Sequence, residues 1–195
     1  MKPFAESCEQ NKHVIFEVIE KHFSGCQNIL EVGSGTGQHA VFFASKLPHL
    51  LWQPSEQAEN ISGILQWLED YPSNNIQSPI TLNVNETWPA NAYDGVFSAN
   101  TAHIMSWQEV ICFFKGVGES LESGGTFCLY GPFNYNKNFT SESNARFDQW
   151  LKDQSPLRGI RDFEELNSLA ENQGLNFKED VEMPANNRIL VWQKI

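Results

Sequence analysis

The residues with the clearest capacity for chemistry stand in one run, Glu31-Val32-Gly33-Ser34-Gly35-Thr36-Gly37. Glycine at every second position lets a backbone turn sharply and pass close to a ligand with no Cβ in the way. A dinucleotide loop, G-x-G-x-x-G, would put its third glycine at position 38, which is Gln38, and would offer the positive end of a helix to a pyrophosphate. Here the spacing is G-x-G-x-G, with the carboxylate of Glu31 ahead of it. Acidic surroundings suit a ligand carrying positive charge, such as the sulfonium and ammonium groups of S-adenosylmethionine. No G-x-x-x-x-G-K-[S/T] element is present, which excludes a nucleoside-triphosphate loop of that type.

Further candidates follow at strand ends. Glu56 lies 19 residues beyond Gly37, where a carboxylate at the tip of the neighbouring strand accepts both ribose hydroxyls. Its alternative is a first-turn helix glutamate with Ser55 as the cap. Asn83, in Leu82-Asn83-Val84, can accept from an adenine amino group, although an aspartate would be the stronger partner. The stretch Ser98-Ala99-Asn100-Thr101-Ala102-His103 falls in the crevice beyond the strand ends where open α/β sheets bind ligands. His103 is the first candidate for a base, because an unperturbed imidazole titrates near neutrality. The alternative is a loop histidine hydrogen-bonded to backbone. Tyr130 is the second candidate. His39 suits packing or capping, and His13, His22 and His49 have no partner pattern. Cys8, Cys26, Cys112 and Cys128 form no C-x-x-C pair and no zinc-type cluster, so no metal is expected.

These residues need elements to hold them. Ser7 and Gln10 fit a capping box opening an N-terminal helix within residues 1–25, with Val14, Ile15, Val18, Ile19 and Phe23 at helical spacing. Strands are then predicted over Asn28–Val32, Leu50–Pro54, Ile80–Val84, Tyr93–Ser98 and Thr126–Tyr130. Helices are predicted over Gln38–Leu47, Ile61–Leu68 and Ser106–Leu121, with Gly124-Gly125 as a turn. A polar stretch follows, then a helix over Asp162–Gln173. Two late strands, Asn176–Glu182 and Arg188–Gln193, flank a turn at Pro184-Ala185-Asn186-Asn187. Strand–helix alternation means a doubly wound, mainly parallel α/β sheet, and the last two strands, with no helix between them, make an antiparallel hairpin.

At 195 residues and 41% hydrophobic composition, the chain suits one domain, residues 1–195. A net charge of −11 works against sequence-independent nucleic-acid binding and against anionic membranes. The bias is uneven: residues 1–130 carry −9, residues 131–162 carry +1, and residues 163–195 carry −3. The segment 131–162 reads as a lid over the substrate, with Arg146, Arg158 and Arg161 as contacts for a carboxylate or phosphate. Ordinary surface ion pairs are the alternative. No apolar run approaches the roughly 18 residues of a membrane span, and the N-terminus lacks the apolar region of a signal peptide. With unpaired thiols, a cytoplasmic location is expected.

Taken together, the acidic glycine loop, the carboxylate after the second strand, the Gly-Gly before the fifth strand and the closing hairpin resemble class I S-adenosylmethionine-dependent methyltransferases. The likeness covers nearly the whole chain. It is narrower still to a family of methyltransferase-like proteins classed as a domain of unknown function, with no assigned substrate. Asn11-Lys12, the run Ser34 to Ala40, Trp52-Gln53-Pro54-Ser55, Tyr130-Gly131-Pro132-Phe133, Asn144 with Phe147-Asp148, and Met183-Pro184-Ala185-Asn186-Asn187 carry it. The resemblance implies a Rossmann-like fold with S-adenosylmethionine as cofactor. Glu31, Gly33, Ser34, Gly35 and Gly37 would line its methionine and ribose end. Glu56 would hold the ribose, Asn83 and Val84 would frame the adenine, Asn100 would border the cofactor, and Asn11 would close the pocket. The family pattern more often has Asp at the positions of Glu56 and Asn83. Asn186 and Asn187 would face the substrate or serve the turn.

The expected function is methyl transfer to an N, O or S atom of a small molecule, by alignment, exclusion of water and, for some acceptors, removal of a proton. Motifs for amino-group methylation of adenine or glutamine, for cytosine C5 methylation and for arsenic methylation are missing. The alternatives are a non-catalytic protein keeping the fold and acting through a partner and, behind it, an NAD(P)-dependent oxidoreductase.

Overall fold

The computed structural model describes residues 2–90 and 92–195. Met1, at the start of the expected N-terminal helical span, lies outside the described residues. In chain order the elements are α1 (Glu6–His22), β1 (Asn28–Val32), α2 (Gln38–Lys46), β2 (Leu51–Glu56), α3 (Ile61–Asp70), β3 (Ile80–Thr81), β4 (Tyr93–Ala99), α4 (Trp107–Ser120), β5 (Leu121–Gly131), β6 (Phe133–Asn134), α5 (Glu142–Gln154), β7 (Arg161–Asp162), α6 (Phe163–Asn172), β8 (Leu175–Met183) and β9 (Asn187–Lys194).

The main sheet runs β3-β2-β1-β4-β5-β9-β8. The first five strands pair in parallel, while β9 pairs antiparallel with both β5 and β8. The closing hairpin thus inserts its last strand next to β5. Alternation along each strand serves two cores. Ile29, Phe97, Cys128 and Val191 pack with α1 and α2, whereas Leu30, Val96, Phe127 and Leu190 pack on the opposite side with Phe113, Phe114 and Val117 of α4 and Leu166 and Ala170 of α6. Burial on both faces is what continuous apolar strands of a parallel sheet require. The strand order reverses between β1 and β4, and the carboxyl ends of β1, β2, β4 and β5 share one edge, which is where such sheets form a ligand crevice.

Several expected boundaries move, each for a visible reason. Ser7 and Gln10 form no capping box: Ala5 is the N-cap of α1 with no side-chain cap bond, and its N–H donates instead to Gln38 Oε1 at 2.6 Å. A capping box does open α4, between Ser106 and Glu109. β2 runs on past Pro54 to Glu56, because its ladder to β3 begins only at Ser55 and the proline's missing N–H is not called upon. That removes the helix reading of Glu56, since α3 starts at Ile61. β3 stops at Thr81, and the Asn83 side chain then accepts from Asn85 N–H at 3.0 Å, turning the chain. Gly124-Gly125 lies inside β5: pairing with β4 jumps from Tyr93↔Leu121 to Gly95↔Thr126, and Gly124 at φ +85° takes up the bulge.

The polar stretch 131–162 contains a helix, α5. Its inward face is Asn144, Asp148 and Leu151, of which only the last is apolar, so its buried face carries no apolar period. Ser141 caps it by accepting from Asn144 N–H at 3.1 Å. The strip β6–β7 then stitches this segment back to the body.

Candidate functional site

The glycine loop leaves β1 at the point where the strand order reverses. Gly33 N–H and Ser34 N–H both donate to Ser55 O of β2, at 3.1 and 2.9 Å. Gly33 has φ +72°, and a Cβ there would meet Thr101 at 2.5 Å, so only glycine lets the β4 turn come this close. Gly35 N–H donates to Glu56 Oε2 at 2.8 Å, while Glu56 Oε1 accepts from Gln57 N–H at 2.8 Å. A Cβ on Gly35 would meet no protein atom within 4 Å. This face of the loop opens into a cavity of about 490 Å³ lined by Gly33, Gly35, Glu56, Asn100, Thr101 and, from the segment 131–162, Arg158.

Glu31 stands behind the loop rather than on the cavity wall. Its Oε2 accepts from Ser34 Oγ at 2.8 Å and from Trp52 Nε1 at 3.1 Å. Complete burial pushes its carboxyl up to about 7, against the two hydrogen bonds that favour the anion. The start of α2, where a dinucleotide's pyrophosphate would sit, is covered. Gln38 is buried, its amide bonded to Ala5 N–H and, at 2.7 Å, to Glu9 Oε1 of α1.

A second cavity, of about 800 Å³, adjoins the first. Asn100 lines both. It follows β4 at φ +59°, a left-handed conformation that asparagine tolerates better than most residues, and its N–H donates to Tyr130 O at 2.9 Å. His103 and Tyr130 share the second cavity with Asn11, Asn144, Phe147 and Asn187. Burial, with Arg161 and Arg158 nearby, pulls His103 down to about 4. The ring is therefore neutral at physiological pH and does not titrate near neutrality as its sequence context suggests. His103 packs edge-on against Phe147 with ring centroids 5.2 Å apart. Its backbone oxygen, not its ring, accepts from Gly159 N–H at 3.0 Å.

Burial pushes Tyr130 up, offset in part by the nearby amides of Asn11 and Asn187, so at neutral pH it is a phenol. Asn11 is itself oriented by His39. Burial lowers the His39 ring to about 4, so it is neutral, and it meets Asn11 Oδ1 through Nε2 at 2.7 Å. An oxygen facing that nitrogen requires the Nε2–H tautomer. The Asn11 amide nitrogen is then the end left for the second cavity, which Asn11 lines together with Tyr130.

The remaining sequence candidates are placed as follows. Gly37, at φ +90°, sits 3.1 Å from Ile64 in terms of a would-be Cβ and serves the packing of α2 on α3. Asn83 and Val84 do not line either cavity; the Asn83 oxygen is engaged by Asn85, and Val84 packs on the α4 side of the core. Asn186, at φ +58°, serves the turn and lines the second cavity as well. Of the lid arginines, Arg146 points to solvent beside Glu142 at 3.9 Å. Arg161 is consumed by backbone: it donates to Ala102 O at 3.1 Å, to Leu157 O at 2.9 Å and to Met105 O. Only Arg158 reaches a cavity wall. Phe147 and Trp150, stacked at 5.8 Å and 13°, both line the second cavity and were hidden in the polar stretch. Their i, i+3 spacing on a serine-capped segment is the signal that could have found them. Among the described residues no group of three or more His, Cys, Asp or Glu could hold a metal, and no helix is long and apolar enough to cross a membrane.

Comparison with known proteins agrees with this architecture. The model of a family described as "Protein of unknown function (DUF938)" matches residues 2–194, and the chain belongs to that family. Among solved structures, an O-methyltransferase family protein from Burkholderia thailandensis superposes with a TM-score of 0.85 at 12% identity, covering 96% of this chain and 56% of that one. The mitomycin 7-O-methyltransferase does so at 0.84 and 14%, covering 97% and 54%. Human N-acetylserotonin methyltransferase, in complex with SAM, does so at 0.81 and 14%, covering 97% and 53%. The chain thus spans about half the length of these structures and has the fold of S-adenosylmethionine-dependent methyltransferases.

Proposed function

We propose that this member of the DUF938 family is an S-adenosylmethionine-dependent methyltransferase acting on a small molecule. One observation carries the reading: two cavities meet at Asn100, one walled by the glycine loop and Glu56, the other by His103 and Tyr130. Two adjoining sites are what an in-line transfer between a cofactor and an acceptor needs.

The residues present fit the cofactor. Open backbone at Gly35 and a carboxylate at Glu56 suit a ligand with a diol and positive charge, with the buried Glu31 carboxyl bracing the loop from behind. Glu56 would accept from the ribose hydroxyls, and Gly33 and Gly35 would let the ligand lie against the main chain. When bound, S-adenosylmethionine supplies an electrophilic methyl group on a cationic sulfur. The chain's own part is to orient the acceptor through Asn100, His103 and Tyr130, and to exclude water by laying α5 and the segment after it over both cavities.

The test is calorimetric titration of S-adenosylmethionine and S-adenosylhomocysteine into the protein, with Glu56→Ala beside it. Binding in the micromolar range is expected, weakened at least about 30-fold in the variant, which corresponds to roughly 2 kcal/mol for a charged hydrogen-bond partner. Absence of binding to folded wild-type protein would overturn the proposal and favour the non-catalytic alternative.

A further inference from the structure

Sixteen residues line the second cavity, and none is Asp, Glu, Lys or Arg. In a chain with 37 such residues among 195, an uncharged cavity of this size at the sheet's ligand edge constrains what enters it. Its one titratable imidazole, His103, is neutral, and Tyr130 is a phenol. The wall divides in two. Phe147, Trp150 and Pro132 form an aromatic and apolar side, and Asn11, Asn100, Asn144, Asn186 and Asn187 supply carboxamides. Of the arginines that could have drawn an anion, Arg161 is engaged on three carbonyls, Arg146 lies beside Glu142 at the surface, and Arg158 lines the first cavity and not the second.

We infer that the acceptor is a neutral, planar molecule bearing a hydroxyl group, seated against Phe147 and Trp150, with its hydroxyl between Tyr130 and His103. This rests on the methyl-transfer reading above and narrows it. An aliphatic amine would arrive as an ammonium ion with no carboxylate on the wall to receive it. A thiolate or carboxylate would arrive as an anion with no cation there. Either would have to shed its hydration with no compensating charge. A neutral hydroxyl fits the unused hydrogen-bonding capacity: it accepts from the Tyr130 phenol and donates to the acceptor nitrogen of the neutral His103 ring.

In the transfer, a lone pair of the hydroxyl oxygen forms the new O–C bond and the C–S bonding pair stays on sulfur. The hydroxyl proton passes to the His103 ring and from there to water. A weakly basic ring suffices for this, because an oxygen acquiring a third bond becomes strongly acidic.

The test uses a matched pair of probes at pH 7, neutral 2-naphthol and anionic 6-hydroxy-2-naphthoate, titrated by calorimetry with and without saturating S-adenosylhomocysteine. 2-Naphthol is expected to bind at least about tenfold tighter than the carboxylate. Trp150→Ala, at a half-exposed position (54%) that the core does not need, should weaken 2-naphthol about fivefold or more while leaving S-adenosylhomocysteine affinity unchanged. Equal or tighter binding of the carboxylate, or a Trp150→Ala variant that binds 2-naphthol as wild type does, overturns the inference. Failure of S-adenosylhomocysteine to bind overturns the cofactor reading instead, and the titrations without it still judge the cavity.

Discussion

At the residue scale, the site depends on burial setting protonation. Glu31 is the clearest case, held in the α1–α2 side of the core by Ser34 and Trp52 and pushed up to about 7. A carboxyl whose folded value lies above its unfolded one binds a proton that the unfolded chain releases. It therefore stabilises the fold fully below about 4.5, and that contribution is lost as pH rises through about 7. His39 and His103 act in the opposite sense, since both are pulled down to about 4 and disfavour the fold on acidification. The comparison must therefore be a difference between proteins. Glu31→Gln keeps an acceptor for Ser34 and Trp52 and is expected to gain stability over wild type as pH rises from 5 to 8, approaching about 3 kcal/mol. Urea unfolding at several pH values reads it, and a difference that stays flat with pH would show that Glu31 ionises freely. The same burial keeps His103 and Tyr130 uncharged, which in the proposed reaction would leave them to orient a hydroxyl rather than to strip a proton from it in advance.

At the element scale, the segment 131–162, proposed above to cover both cavities, is fastened by hydrogen bonds to backbone and not by surface charge. Arg161 holds the turn after β4 through Ala102 O and Met105 O and its own segment through Leu157 O. Asp148 accepts from Ile160 N–H at 2.8 Å, and Gly159 N–H donates to His103 O. Removing the Arg161 donors leaves part-buried carbonyls without partners. Arg161→Met is expected to cost about 2 kcal/mol, to open α5 to limited proteolysis, and to weaken S-adenosylhomocysteine binding, because Ser155, Leu157 and Arg158 line the cavity proposed for the cofactor. Arg146→Met, by contrast, touches only an exposed ion pair and should stay within about 0.5 kcal/mol of wild type. Equal effects of the two substitutions would show that the lid is held by something other than Arg161.

At the scale of the whole molecule, the first cavity draws its walls from three strand ends, a helix start and the segment after α5, so a ligand there ties distant parts of the chain together. Any ligand bound only by the folded state raises stability by mass action, about 2.7 kcal/mol at a hundredfold excess over Kd. For a chain of 195 residues this amounts to roughly 5–11 °C in Tm. Thermal unfolding with S-adenosylhomocysteine should show such a rise in wild type and little in Glu56→Ala. A rise of the same size in the variant would place the ligand elsewhere. The net charge of −11 has no counterpart in the second cavity, whose wall carries no Asp, Glu, Lys or Arg.

Local signals in the sequence specify the order and type of the long elements other than α5, the parallel sheet with its closing antiparallel pair, and the glycine loop with Glu56. Each of these is written in local signals: strand and helix periods, glycine where φ is positive, a carboxylate at a strand tip. Only the tertiary structure decided the rest. α5 was illegible because two of its three inward residues, Asn144 and Asp148, are polar and are satisfied by contacts far along the chain, with Asn186 and Ile160. The lid arginines have the composition of an anion site, yet Arg161 meets carbonyls 56 and 59 residues away. The protonation of Glu31, His39 and His103 is set by desolvation, a property of what surrounds a group in space. Residue type and spacing announce which groups could do chemistry, whereas burial and long-range hydrogen bonds decide which of them stay charged and which are left facing a ligand.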